Sequence, residues 1–219
     1  DRFNLPGDER NFMIAGLCDK DGNDANGTVY VYDTQTLLPT DTIAKDKNGN
    51  DLVFTKTITV PAGNDLSSVD VGDDLEGWRQ GYRSMKWFLC DKDYSNGRNQ
   101  SNDVPIFRYA DVLLMKAEAM VRKGESGAMQ LFNQIRAYVN APQLTADPSL
   151  NDIYDERGRE FFDELWRRND MIRFGHYEDE WFPHYKDNPN ASFDKNMRVF
   201  PISQNDLNVN AGWTQNPGY

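Results

Sequence analysis

The chain has 219 residues, 35 acidic against 24 basic, which gives a formal charge of −11 and a pI near 4.6. Aromatics at 12% and apolar residues at 38% suffice for a core, which argues against disorder throughout, while a mean hydropathy of −0.77 keeps much of the chain wet. No basic patch interleaved with aromatics offsets the acidic excess, which argues against a nucleic-acid partner, and no apolar run approaches the roughly 20 residues that a bilayer span needs.

The first ten residues hold neither an initiator Met nor an apolar signal core, so the natural start is expected to be processed or missing. Ile14 to Cys18 faintly resembles a lipoprotein cleavage box, but Leu17 stands where a small residue is required, and Cys18 reads as a structural cysteine. Cys18 and Cys90 fit either one disulfide or two buried thiols. Residues 19–24 (Asp-Lys-Asp-Gly-Asn-Asp) alternate oxygen donors like the start of a Ca²⁺ loop. Its frame would put Tyr30 where a bidentate Glu belongs and Asp24 where Gly belongs, so the expectation is a turn and no bound metal.

Residues 1–103 read as a loop-rich segment with a β-hairpin. Residues 29–32 and 54–60 carry strand-type runs, and Asn48-Gly49 between them supplies the polar tip. An acidic loop is expected over 65–77. Residues 104–219 change to helical texture. Ile106, Ala110, Leu113, Leu114, Ala117, Met120 and Val121 form one apolar face before Gly124, and Ala128, Leu131, Phe132, Ile135 and Val139 form a second before Pro142. Together they predict an αα-hairpin that partly fits the tetratricopeptide pattern through Ala128 and Phe132, and one such unit must stack on other helices. A third helix is expected from the Ser149/Asp152 capping box through Phe174, with Ile153, Phe161, Leu165, Trp166 and Ile172 inward. Residues 176–198 lack a period and predict an extended loop. Ser203 with Asp206 caps a short turn, and 215–219 closes the chain as another.

The third helix holds most of the titratable groups. Glu156, Glu160 and Glu164 follow at one-turn spacing, Asp163 with Arg167 and Glu164 with Arg168 have ion-pair spacing, and this reads as a solvated, ion-paired face rather than an acid/base pair for glycoside hydrolysis. His176 and His184 flank Pro183, which prevents both imidazoles from sharing a helix face, so no metal is expected there. No nucleophile elbow, phosphate loop or dinucleotide fingerprint is present, and no cofactor is expected. The aromatics carry more information. Trp78, Tyr82, Trp87, Phe88 and Tyr94 precede the first helix, and Tyr177, Trp181, Phe182 and Tyr185 follow the third. Loop aromatics offer a flat apolar face for a sugar ring beside polar groups for its hydroxyls.

Three stretches together resemble the SusD/RagB family of outer-membrane nutrient-binding lipoproteins. They are residues 103–119 (Asp-Val-Pro-Ile-Phe-Arg-Tyr-Ala-Asp-Val-Leu-Leu-Met-Lys-Ala-Glu-Ala), the run from Glu156-Arg157-Gly158-Arg159-Glu160-Phe161 through Arg168, Asp170 and Ile172-Arg173-Phe174-Gly175, and the ending Phe200-Pro201-Ile202, Leu207-Asn208 and Gln215-Asn216-Pro217-Gly218-Tyr219. The resemblance covers about 78–219 and makes the chain look like the C-terminal part of one larger SusD-like domain.

The resemblance implies a mainly α fold, an α-α superhelix of tetratricopeptide-type hairpins with a small β-hairpin region. It implies a non-enzyme on the cell-surface side of the outer membrane that binds oligosaccharide or polysaccharide and delivers it to a SusC-like TonB-dependent transporter. The membrane would be met only through an N-terminal lipid anchor absent from this chain. It also implies that Arg108, Asp111, Glu118, Glu156, Arg157 and Arg173 are buried polar anchors between packed helices. Trp78, Tyr82, Trp181, Tyr30 and Tyr32 are the candidate ligand-binding residues, as aromatics outside the helical cores. The competing expectation is a helical-repeat module that docks a partner protein without a sugar site of its own. The acidic charge suits neutral glycans and disfavours polyanionic ones unless Arg79, Arg83 or Arg98 compensates locally.

Overall fold

A computed structural model describes residues 2–11, 19, 21, 23, 25–33, 35–36, 38–45, 48–55, 81, 84, 86–87, 103–179 and 192–219. Cys18, Cys90, the 65–77 stretch and residues 56–60 lie outside these.

The helical half holds the core. Helix α1, Tyr109–Lys123, follows Arg108 in extended backbone and ends at Gly124, whose φ of 71° favours glycine. Gly124 N–H bonds Val121 O and Glu125 N–H bonds Met120 O, the two bonds that close a Schellman end. Helix α2, Ala128–Tyr138, has no cap from its own N-terminal residue. Asp147 supplies one from downstream, its carboxylate accepting from Gly127 N at 3.0 Å and Met129 N at 2.8 Å. Leu113, Leu114 and Ala117 of α1 meet Ala128, Phe132 and Ile135 of α2. This is the expected helical hairpin, with Ala128 and Phe132 wholly buried.

Helix α3, Leu150–Glu160, starts at the capping box foreseen from sequence, Ser149 Oγ accepting from Asp152 N while Asp152 accepts from Ser149 N. The expected single helix to Phe174 does not form. Residues 161–165 turn, with Asp163 and Leu165 at φ of 63° and 66°, and α4 begins afresh as Arg167–Phe174. The turn lays α4 against α3. It drives Phe161 into the core and leaves Leu165 exposed, so Leu165 does not belong to the inward stripe. Burying a Leu, Ile or Phe contributes about 1.5–3 kcal/mol, so the eight buried residues of this cluster stabilise the three-helix junction.

At the C-terminus, a 3-10 turn at Lys195–Arg198 falls within the stretch expected as a loop, of which 180–191 lie outside the described residues, and the six-residue helix α5, Gln204–Val209, stands where a short turn was expected. Ser203 caps α5 through Asp206 N as expected. The final turn is tied back: Gln215 exchanges two 2.8 Å bonds with the backbone of Ile202, Asn216 donates to Phe200 O and Tyr219 to Val199 O. Gly218 sits at φ of 96°, and a Cβ there would lie 2.8 Å from Asn196 Cβ.

The first strand of the N-terminal hairpin forms as expected, but it takes another partner. Strand β1, Tyr30–Tyr32, runs antiparallel to β2, Pro39–Ile43, with Tyr30 opposite Ile43. The Asn48-Gly49 turn does form, between the bridge Lys45–Asp51, and Thr28 bridges Val53. Residues 53–55 thus join at the margin rather than as the main partner. Asp19 accepts from Asp21 N and Asn23 N, a local turn of the kind expected there.

Candidate functional site

The carboxylates of α3 fold inward. Glu156 has no exposure, and Glu160 and Glu164 are nearly as buried, so the expectation of a solvated face is overturned. Arg10 reaches from the N-terminal segment to Asp8 at 2.7 Å, Glu156 at 2.8 Å and Glu160 at 3.1 Å. Arg136 and Arg159 also bond Glu156, at 3.0 and 2.8 Å. Arg108 spans Glu160 and Glu164 at 2.8 Å each, and Lys86 pairs with Glu164. Arg108 and Lys86 further cover the carbonyl of Glu160, the open C-terminus of α3.

A second chain of charges joins α1 to α4. Arg157 holds Asp111 at 2.6 Å and Asp170 at 2.8 Å, and Arg173 holds Asp170 at 2.9 Å and Glu118 at 2.8 Å. All six anchors that the resemblance implied take part in these two networks, but only Asp111, Glu118, Glu156 and Arg157 are buried; Arg108 is half-buried and Arg173 exposed, because each guanidinium reaches its carboxylates from the rim. Their other members, Asp8, Arg10, Arg136, Arg159, Glu160, Glu164, Asp170 and Lys86, carried no local signal of burial. Burial pushes the Glu156 carboxyl up, yet Arg10, Arg159 and Arg136 more than reverse that and hold it below the usual glutamate range. Glu118 is held low in the same way, burial being overcome by Arg173 and Arg122. Carboxylates fixed as anions make poor proton donors, so this arrangement joins elements rather than serving acid/base chemistry.

Among the described residues, a concavity lies beside the networks, between α3, α4 and residues 176–179. This cleft of about 890 Å³ is lined by Arg2, Tyr154, Asp155, Arg167, Arg168 and Tyr177, among others, a size that suits a small-molecule or saccharide segment. Tyr154 forms its buried floor, stacked on His176 at 4.5 Å between centroids and under the Arg167 guanidinium at 3.7 Å. His176 Nδ1 lies 2.5 Å from Asp179 Oδ2. Arg168 rests 4.1 Å from the Phe200 ring centre and 5.3 Å from that of Tyr177.

Among the described residues, no group of His, Cys, Asp or Glu could hold a metal ion. His184, Trp78, Tyr82, Trp181, Phe88, Tyr94, Phe182 and Tyr185 lie outside those residues. Tyr30 and Tyr32 both fall on β1, where Tyr30 is half-buried. Tyr177 and Arg168 border the cleft; the sequence marked Tyr177 as a loop aromatic and Arg168 only as a charge of the third helix.

The model of the SusD family matches residues 67–219. Over 153 residues the chain is 29% identical to the starch-binding protein SusD of Bacteroides thetaiotaomicron, covering 67% of this chain and 28% of that one. It is 37% identical over 102 residues to the SusD-like protein P25 of Formosa agariphila, covering 43% of this chain and 19% of the relative. In fold it is similar to a SusD superfamily protein from Bacteroides vulgatus, with a TM-score of 0.53 and 22% identity over 98% of this chain and 44% of that one. A second such structure, from Parabacteroides distasonis, gives 0.50 and 18% over 99% and 47%. The chain spans less than half the length of each.

Proposed function

Because the chain belongs to the SusD family, we propose that it serves in a non-catalytic glycan-binding protein on the cell-surface side of the outer membrane, which hands oligosaccharides to a SusC-like TonB-dependent transporter. The observation that carries this reading is the 153-residue likeness to a protein named for starch binding. The structure supports it in two ways: the α3 carboxylates are engaged by guanidinium and ammonium groups, and a cleft of saccharide size lies beside them. Trp78, Tyr82, Trp181, Tyr30 and Tyr32 are proposed to add stacking surfaces for sugar rings. Isothermal titration of the chain against a panel of glycans tests the reading. Saturable heat with at least one saccharide is expected, and binding of peptides with none of any glycan would overturn it.

One observation favours a second reading, a module that docks a partner protein. Ile106, Phe107, Tyr109 and Tyr138 present an exposed apolar surface at the start of α1 and the end of α2. On that reading, Tyr109→Ser with Tyr138→Ser abolishes complex formation with the transporter while glycan affinity, if any, is unchanged.

A further inference from the structure

The cleft between α3 and α4 carries more positive charge than its own carboxylates answer. Asp155 is taken by Arg2 at 2.5 Å and Asp179 by His176 at 2.5 Å. Arg167 and Arg168 have no carboxylate partner among the described residues, although the protein as a whole carries 11 excess negative charges. The Arg167 guanidinium donates from Nη1 to Tyr154 O at 3.0 Å and lies over the Tyr154 ring. Gly158 makes room for it: a Cβ there would stand 2.8 Å from Arg167 Nη1. Arg168 donates from Nη2 to Met197 O at 3.0 Å and Arg198 O at 2.9 Å. These bonds and the Phe200 ring fix its plane and leave Nε and Nη1 without a protein acceptor among the described residues.

A guanidinium that is already oriented, stripped of part of its water and in contact with no carboxylate is suited to take an anion through its fork of N–H donors. Burial, with the neighbouring Arg2, holds the Arg167 pKa below the ordinary arginine value against the opposing influence of Tyr154, Asp170 and Asp155, which is consistent with a cation only partly compensated. The overall charge does not prevent this, because at physiological ionic strength fields fade over about 8 Å, which leaves the local pair in control.

We infer that the Arg167–Arg168 cleft binds an anionic sugar residue, one that carries a carboxylate or a sulfate ester. The inference rests on the saccharide-binding reading and narrows its substrate class. It departs from the expectation of neutral glycans and moves the compensating arginines from Arg79, Arg83 and Arg98 to α4.

The test is isothermal titration of the whole chain with three oligosaccharides of matched length: an oligogalacturonate, a sulfated galactan fragment and a neutral maltooligosaccharide. At least one anionic probe is expected to bind about tenfold or more tighter than the neutral one, and to weaken as salt is raised. Arg168→Gln should cost that probe about tenfold while neutral binding changes less than about twofold, and Arg168→Lys, which keeps the charge without the fork, should fall between. Thermal melting of each variant separates lost binding from lost folding. A merely structural Arg168 would lower both affinities together, and that result overturns the inference. Neutral binding equal to or tighter than anionic also overturns it and leaves the saccharide reading standing. Binding of no probe, with peptides bound instead, overturns both.

Discussion

Glu156 sits with no solvent exposure among three guanidiniums, those of Arg10, Arg136 and Arg159. Removing its charge leaves Arg136 and Arg159 buried without a carboxylate, while Arg10 keeps Asp8 and Glu160, so Glu156→Gln is expected to destabilise the fold by about 3–5 kcal/mol in urea unfolding; a change under about 1 kcal/mol would mean the cluster is wetter than its geometry shows. The pH dependence follows from the same residues. Glu156 and Glu118 are both held below the ordinary glutamate value in the fold, burial raising each and its guanidinium partners lowering it further. The unfolded chain therefore binds more protons, and their contribution is full above the unfolded glutamate value and is lost as pH falls through the lowered folded values. Thermal midpoints should decline below about pH 5, and the decline should be shallower in Glu156→Gln. Sequence could mark Glu156 and Arg157 as anchors through their resemblance to known motifs. It could not pair Glu156 with Arg10, because that bond closes a loop of 146 residues that no local pattern reports.

The break between α3 and α4 shows the limit of element reading. Helix ends are usually announced by Gly, Pro or Asn, yet here Asp163 and Leu165 take positive φ themselves, so nothing in residues 161–166 marks the stop. Leu165 is exposed and makes no compensating burial. A left-handed non-glycine residue costs about 1–2 kcal/mol, and glycine's extra unfolded-state freedom costs about 0.5–1 kcal/mol. Leu165→Gly is accordingly expected to raise stability by about 0.5–1 kcal/mol, read from the urea midpoint at unchanged slope; a loss would show that Leu165 makes a contact that holds the turn. The starts of α3 and α5 were legible because their caps are local, Ser149 with Asp152 and Ser203 with Asp206. The start of α2 at Ala128 was legible from its apolar run but its cap was not, since Asp147 supplies it from beyond the helix's own end. In the hairpin, the Asn48-Gly49 tip and the arm at 30–32 were readable, and the arm at 39–43 was not. Residues 39–43, Pro-Thr-Asp-Thr-Ile, carry weak strand propensity but close a shorter loop onto β1 than 54–60 would.

At the scale of the molecule, helices α1 to α4 form one core crossed by two charge networks, and those networks absorb the residues most easily mistaken for catalytic ones. The ligand surface is harder to read from sequence than the scaffold, because loops carry it and no period or cap governs them. Native mass spectrometry of the chain incubated with an oligosaccharide that it retains tests the central claim, capture without chemistry, most directly. The account predicts one added mass equal to that of the intact sugar, unchanged on prolonged incubation and unchanged in Glu160→Gln. Shortened sugar that accumulates with time and disappears in that variant would contradict it.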